Sequence, residues 1–114
     1  MASKKLETFV GKETIIKGDV TIQHSLRVDG QVRGKLRSKE DITVGTGAKI
    51  SGDIIADIVI VDGDVTGNIF ANKSVHLQNN ASLIGDIRTP RIEMLEGAKF
   101  NGQLKMLGEE GKMA

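Results

Sequence analysis

The chain has no cysteine, no tryptophan and no tyrosine, and only one proline and three phenylalanines among its 114 residues. Without cysteine there is no disulfide framework and no thiolate metal site, which suits a reducing compartment such as the cytoplasm. Without aromatic bulk a conventional globular core is disfavoured. An excess of one charge is missing too. Sixteen basic and fifteen acidic residues leave a net charge of +1, so composition makes no electrostatic case for nucleic acid or an acidic partner. No apolar run approaches the roughly 18 residues that read as a membrane span. The first ten residues lack the apolar stretch of a secretory signal, and no segment sustains a helical apolar stripe.

What the chain does have is fourteen glycines, abundant Val and Ile, and an internal repeat. Gly-polar-aliphatic occurs at Gly18-Asp19-Val20, Gly34-Lys35-Leu36, Gly52-Asp53-Ile54, Gly67-Asn68-Ile69, Gly85-Asp86-Ile87 and Gly102-Gln103-Leu104. The steps are 16, 18, 15, 18 and 17 residues. A unit this short buries no core alone, so neighbouring units must stack. Within each unit an alternating segment places two aliphatics on one strand face: Ile42 and Val44, Ile58 and Ile60, Val75 and Leu77, Ile92 and Met94. A second short strand follows at Ala48-Lys49-Ile50, Ala81-Ser82-Leu83 and Ala98-Lys99-Phe100, and the glycine tripeptide turns a corner into a third side. Three sides of five to six residues close one coil of about 17 residues.

Overlays support the register. Residues 28–36 match 61–69, residues 47–52 match 97–102, and Thr8, Val10, Ile16, Gly18 and Val20 align with Ile42, Val44, Ile50, Gly52 and Ile54. Gly47, Asn80 and Gly97 are equivalent, as expected of a left-handed corner. The first coil starts near Thr8, an imperfect first inward position. The expected organisation is a short tail over 1–7, a rod over 8–107 and a disordered tail over 108–114. The expected fold is all-β: a triangular parallel β-helix of about six coils, roughly 30 Å long at about 4.8 Å per coil. After each corner glycine the outward residue runs Asp19, Lys35, Asp53, Asn68, Asp86, Gln103, which sets Lys35 between carboxylates of adjacent coils.

Chemistry-bearing constellations are sparse. His76 alternates with Val75 and Leu77 and so points outward, His24 lies in a polar link, and the two, in different coils, share no obvious carboxylate partner. Asp62 and Asp64 flank a corner, and a straight rod offers no cleft to shift their pKa values. Gly45-Thr46-Gly47 has no following helix and no Gly-Lys-Ser/Thr, so it makes no phosphate loop. The basic cluster Arg33, Lys35, Arg37 and Lys39 has no interleaved aromatics for base stacking. These readings imply no catalytic residue, no metal and no cofactor.

The ends of the stack are more informative. Terminal coils leave backbone groups unpaired on one side, and such edges template further pairing unless capped. No helix is expected at either end. The last coil carries Ile92, Met94, Leu95, Phe100, Leu104, Met106 and Leu107, with Phe100 in the slot held earlier by Ile50 and Leu83. Phe100 plugs its own core, covers a neighbour's, or does both across a two-fold axis.

From Thr8 to about Met106, the short Gly-Asp-Val/Ile repeats resemble the bactofilins, bacterial polymer-forming cytoskeletal proteins. Val-Asp-Gly-Gln-Val-Arg-Gly-Lys-Leu at 28–36 and Gly-Asp-Ile at 52–54 and 85–87 carry the likeness. The resemblance implies right-handed winding and nucleotide-independent filaments built by like-to-like, end-to-end contacts. It also implies a scaffold role in cell shape or in localising cell-wall enzymes or other scaffold proteins. The C-terminal joint then maps to Phe100 with Leu104 and Met106, and the N-terminal joint to Ile16, Val20, Ile22, Leu26 and Val28. Many members carry an apolar membrane-targeting stretch, whereas here Leu6 is the one sizeable aliphatic between Met1 and the first coil. Lys4 and Lys5 add about 1 kcal/mol each toward anionic lipid, so attachment at the inner membrane face would depend on polymer avidity. Two other classes fit the repeat less well. Left-handed β-helix acyltransferases keep a strict six-residue period that Ile42 and Ile58-Val59-Ile60 break. Flat binding solenoids need ranked threonines, which this repeat lacks.

Overall fold

Short β-branched runs punctuated by glycine favour strands too brief to stand alone, and they are held here by lateral stacking. The computed structural model describes residues 7–106, and every regular element among them is a β-strand. The first coil comprises β1 (Glu7–Val10), β2 (Ile15–Lys17) and β3 (Val20–Ile22). The second comprises β4 (Ser25–Val28), β5 (Gln31–Arg33) and β6 (Leu36–Ser38). Next come β7 (Asp41–Val44), β8 (Lys49–Ser51), β9 (Ile54–Val61), β10 (Asp64–Thr66) and β11 (Ile69–Leu77). The long strands β9 and β11 each run around a corner from the end of one coil into the next. The chain continues through β12 (Ser82–Ile84), β13 (Ile87–Thr89), β14 (Ile92–Met94), β15 (Lys99–Asn101) and β16 (Leu104–Met106).

Every pairing is parallel and joins one coil to its neighbour, giving six coils and three faces. Face A holds β1, β4, β7, the second halves of β9 and β11, and β14. Face B holds β2, β5, β8, β10, β12 and β15. Face C holds β3, β6, the first halves of β9 and β11, β13 and β16. The three-sided parallel β-helix expected from the repeat is the fold of this chain. The tails expected at 1–7 and 108–114 lie, apart from Glu7, outside the described residues.

The core is a set of aligned columns along the axis. On face B, Ile16, Val32, Ile50, Val65, Leu83 and Phe100 stack in register. On face C, Val20, Leu36, Ile54, Ile69, Ile87 and Leu104 do the same. On face A the inward pair in the fourth coil is Val59 and Val61, both fully buried, rather than Ile58 and Ile60. The cause is the corner at Asp57: the chain turns there inside β9, and the inward parity shifts by one residue. Val61 thereby lines up beneath Val44, and Ile58 and Ile60 face outward.

Two sets of glycines shape the corners. Gly47 and Gly97 have φ of 89° and 97°, the left-handed corner expected of them. The repeat glycines form a second column, from Gly18 to Gly102, with φ between 120° and 152°. A Cβ at Gly52 would overlap the carbonyl oxygen of Gly34 in the coil before, and one at Gly85 would overlap that of Gly67. At Gly18, in the first coil, a Cβ would meet nothing.

The outward residues beside this column also differ from expectation. Lys35 makes no ion pair with Asp19 or Asp53; among the described residues the ion pair between a lysine or arginine and a carboxylate is Arg27–Asp29. The column is instead a ladder of side chain to backbone bonds. The N–H of Lys35 donates to Asp19 Oδ1 (3.2 Å), that of Asn68 to Asp53 Oδ1 (3.3 Å), that of Asp86 to Asn68 Oδ1 (3.2 Å), and that of Gln103 to Asp86 Oδ1 (3.2 Å). Each rung needs an acceptor in the coil before, which explains the preference for Asp and Asn. Lysine has no acceptor, so Lys35 interrupts the ladder, which resumes at Asp53.

Two outcomes are expected in urea unfolding. Gly18→Ala should lose about 1–3 kcal/mol, the cost of an L residue in a sparsely populated conformation. Gly52→Ala should lose more, because steric overlap is added to the same backbone cost. Equal losses would show that the coils separate at this corner without penalty. Lys35→Asn restores an acceptor below the N–H of Asp53 and should raise stability by about 0.5–1.5 kcal/mol.

Candidate functional site

The two ends of the rod differ sharply from its middle. β1, β2 and β3 pair only with the second coil, and β14, β15 and β16 only with the fifth. Among the described residues, therefore, one edge of every terminal strand has no partner strand and no helix covers it.

The apolar layer is open as well. In the face C column the four middle members, Leu36, Ile54, Ile69 and Ile87, are at most 1% exposed, whereas Leu104 is 39% exposed. Met106 ends the adjacent column 43% exposed, and Met94 ends one on face A 45% exposed. Phe100 is half-buried over Leu83, with its ring packed on the core. Phe100, Leu104 and Met106 thus lie together on one terminal layer. Ile16, Val20 and Ile22 lie together on the other, each half-buried against the core. Covering one such side chain fully is worth roughly 1.5–3 kcal/mol relative to leaving it in water. Each end therefore holds several kcal/mol of latent burial.

Leu26 and Val28 do not belong to the N-terminal layer. They sit in the second coil beneath Thr8 and Val10, at 1% and 0% exposure. The sequence placed them near the first coil, but the register puts a complete rung above them. Conversely, the sequence-derived joint set passed over Val10, Ile92 and Met94. Their spacing from Val28, Val75 and Leu77 is the signal that marks them as end members of the face A columns.

The histidines tie terminal coils to their neighbours. Thr8 Oγ1 lies 2.9 Å from His24 Nε2, which satisfies the polar inward position of the first coil. His76 Nδ1 lies 2.8 Å from Glu93 Oε1 in the last coil, and its Nε2 lies 3.1 Å from Ser74 Oγ. The carboxylate beside His76 is seventeen residues away in sequence and one rung away in space, and His24 does not share it. Each histidine is engaged in holding a coil, and the two stand in separate coils. Among the described residues no three His, Asp or Glu side chains cluster as metal ligands. An open groove of about 220 Å3 runs along face C beside Asp53, Asn68 and Asp86. One oxygen of each of these side chains already accepts a backbone N–H of the next coil. Among the described residues no helix is long and apolar enough to cross a membrane.

Comparison with known proteins agrees with this geometry. Residues 8–105 match the family model described as Bactofilin, polymer-forming cytoskeletal. Two curated bactofilins of Myxococcus xanthus, BacO and BacP, are each 35% identical over 99 residues, or 87% of this chain. The match spans 79% of BacO and 41% of BacP. Among solved structures, the cryo-EM reconstruction of Thermus thermophilus bactofilin double helical filaments is similar with a TM-score of 0.79. It is 27% identical and covers 85% of this chain and 96% of that one. The solid-state NMR structure of the cytoskeletal bactofilin BacA also gives 0.79, at 33% identity, covering 88% of this chain and 95% of that one. An open-ended stack of parallel coils, matched to these relatives over nearly its whole described length, places this chain in the bactofilin family of polymer-forming cytoskeletal proteins.

Proposed function

We propose that this chain is a subunit of a non-polar filament that assembles without nucleotide, by burying its two terminal layers against the same layers of other copies. It acts as a scaffold rather than as an enzyme. The observation that carries this reading is the exposure of the end layers, 39% at Leu104 against 0% at Ile87 one coil inside. That difference is the signature of a core interrupted rather than finished. Phe100 stands at the centre of the C-terminal joint, with Leu104, Met106 and Met94 around it. Ile16, Val20 and Ile22 form the N-terminal joint. The open ladder edges add directional hydrogen bonding to either contact. Nothing in this contact needs a bound nucleotide, because the driving force is apolar burial.

A filament built this way offers three long faces carrying repeated polar side chains, a platform on which cell-wall enzymes or other scaffold proteins can be arrayed in the cytoplasm. Contact with the inner membrane face, if made, draws on many weak attachments along the polymer. The double helical filaments of the T. thermophilus relative give a precedent for higher assembly.

Like-to-like joints make a specific prediction for solution mass, measured without nucleotide. Wild-type protein should form filaments. Phe100→Arg places a charge in the apolar C-terminal joint and should leave dimers joined through their N-terminal coils. Ile16→Arg should leave dimers joined through the other end, and the double variant should be monomeric. Single variants that are already monomeric would indicate head-to-tail joints, and single variants that still form filaments would remove these residues from the joints.

A further inference from the structure

One strand of the rod is apolar on both faces. In β9, Ile54, Ala56, Val59 and Val61 are buried inward, while Ile55, Ile58 and Ile60 face outward and are only partly covered. Phe70 in β11 stands directly beside Ile55 and is 39% exposed. Strands apolar on both faces belong to sheets covered on both sides. Other coils carry mainly polar residues at these outward positions. The face C column reads Thr21, Arg37, Ile55, Phe70, Arg88, Lys105, and Ile58 lies between Asp41 and Ser74. The band is thus confined to the third and fourth coils, around the corner shared by faces A and C, away from both end layers.

We propose that this mid-rod band is a lateral contact between copies of this chain in adjacent filaments. The proposal rests on the polymer reading above. Two features select a second copy as the occupant. First, the charges framing the band are of both signs: Arg37 and Arg88 close the face C column, while Asp41 and Asp57 border Ile58 at the corner. A two-fold contact requires a patch complementary to itself, and apolar residues edged by both signs meet that requirement. Second, the band is small. Four partly exposed side chains fall well short of the roughly 800 Å2 per partner of a stable interface. A free subunit stays laterally single, whereas a filament repeats the band in every subunit and pairs through avidity.

The test is electron microscopy of wild type beside the variant Ile58→Thr/Ile60→Thr/Phe70→Thr, which keeps β-forming residues at all three positions. Wild-type filaments should be paired. The variant should give single filaments of similar length, with the paired fraction reduced at least tenfold. If circular dichroism shows the triple variant unfolded, Phe70→Thr alone carries the comparison with the same reading. Unchanged pairing in the variant overturns the proposal, as do wild-type filaments that are single throughout. It is equally overturned if the substitutions leave pairing intact but abolish co-sedimentation with phosphatidylglycerol vesicles, which would make lipid the occupant. Absence of any wild-type filament instead sinks the polymer reading, which the Phe100→Arg and Ile16→Arg variants probe independently.

Discussion

The close approach of successive backbones at the glycine corner governs the rest of the molecule. From Gly34 onward each repeat glycine lies against the carbonyl of the glycine one coil before it, with no room for a Cβ. That contact holds the coils at ladder distance on all three faces, because a coil lifted at one corner cannot keep its strands paired on the adjoining two. Once the spacing is fixed, the inward side chains fall into columns. Cores of this kind are filled by like stacking on like, with Val, Ile and Leu of similar volume in successive rungs, and they have little use for aromatic bulk. The scarcity of Phe and the absence of Trp and Tyr follow from the same geometry.

Periodicity made most of this legible before any coordinates. The glycine tripeptides mark the corners directly, because only glycine fits there, and the slot shared by Ile50, Leu83 and Phe100 follows from counting between them. What counting did not deliver lies where no glycine marks the turn. At Asp57 the chain rounds a corner inside a continuous strand, and aliphatics on both sides of the alternation leave two parities equally plausible. Only pairing with Val44 selects Val59 and Val61. The polar surface was harder still. That Asp19 and Lys35 are neighbours follows from the repeat. That the carboxylate bonds the backbone N–H, and leaves the ammonium free, depends on short side chains reaching only as far as the next main chain. The partnership of His76 with Glu93 was hidden because partners one rung apart stand seventeen residues apart in sequence.

The ends illustrate how a repetitive fold can encode a site without a distinctive motif. Leu104 is chemically no different from Leu36, and Phe100 occupies the same slot as Leu83. The joint proposed for these positions would arise from being last in a column rather than from residue type. This is also why composition does not show that Leu26 and Val28 lie one rung inside the first coil: it cannot separate a final rung from the one before it, and only the register can. It also explains why the candidate site holds no titrating or nucleophilic group. The chemistry on offer is water exclusion, shared between copies.

The strands lie across the rod, so their hydrogen bonds run along it. A pull on the filament would load every rung in series, with the bonds of three short strands acting in parallel at each step. Such a cable stretches little, because three short strands share the load at each step. Its rupture point would be the seam between subunits, where side-chain packing carries most of the load. Breaking there returns intact rods able to anneal again, so mechanical damage to the cable would be reversible by the same contact that built it.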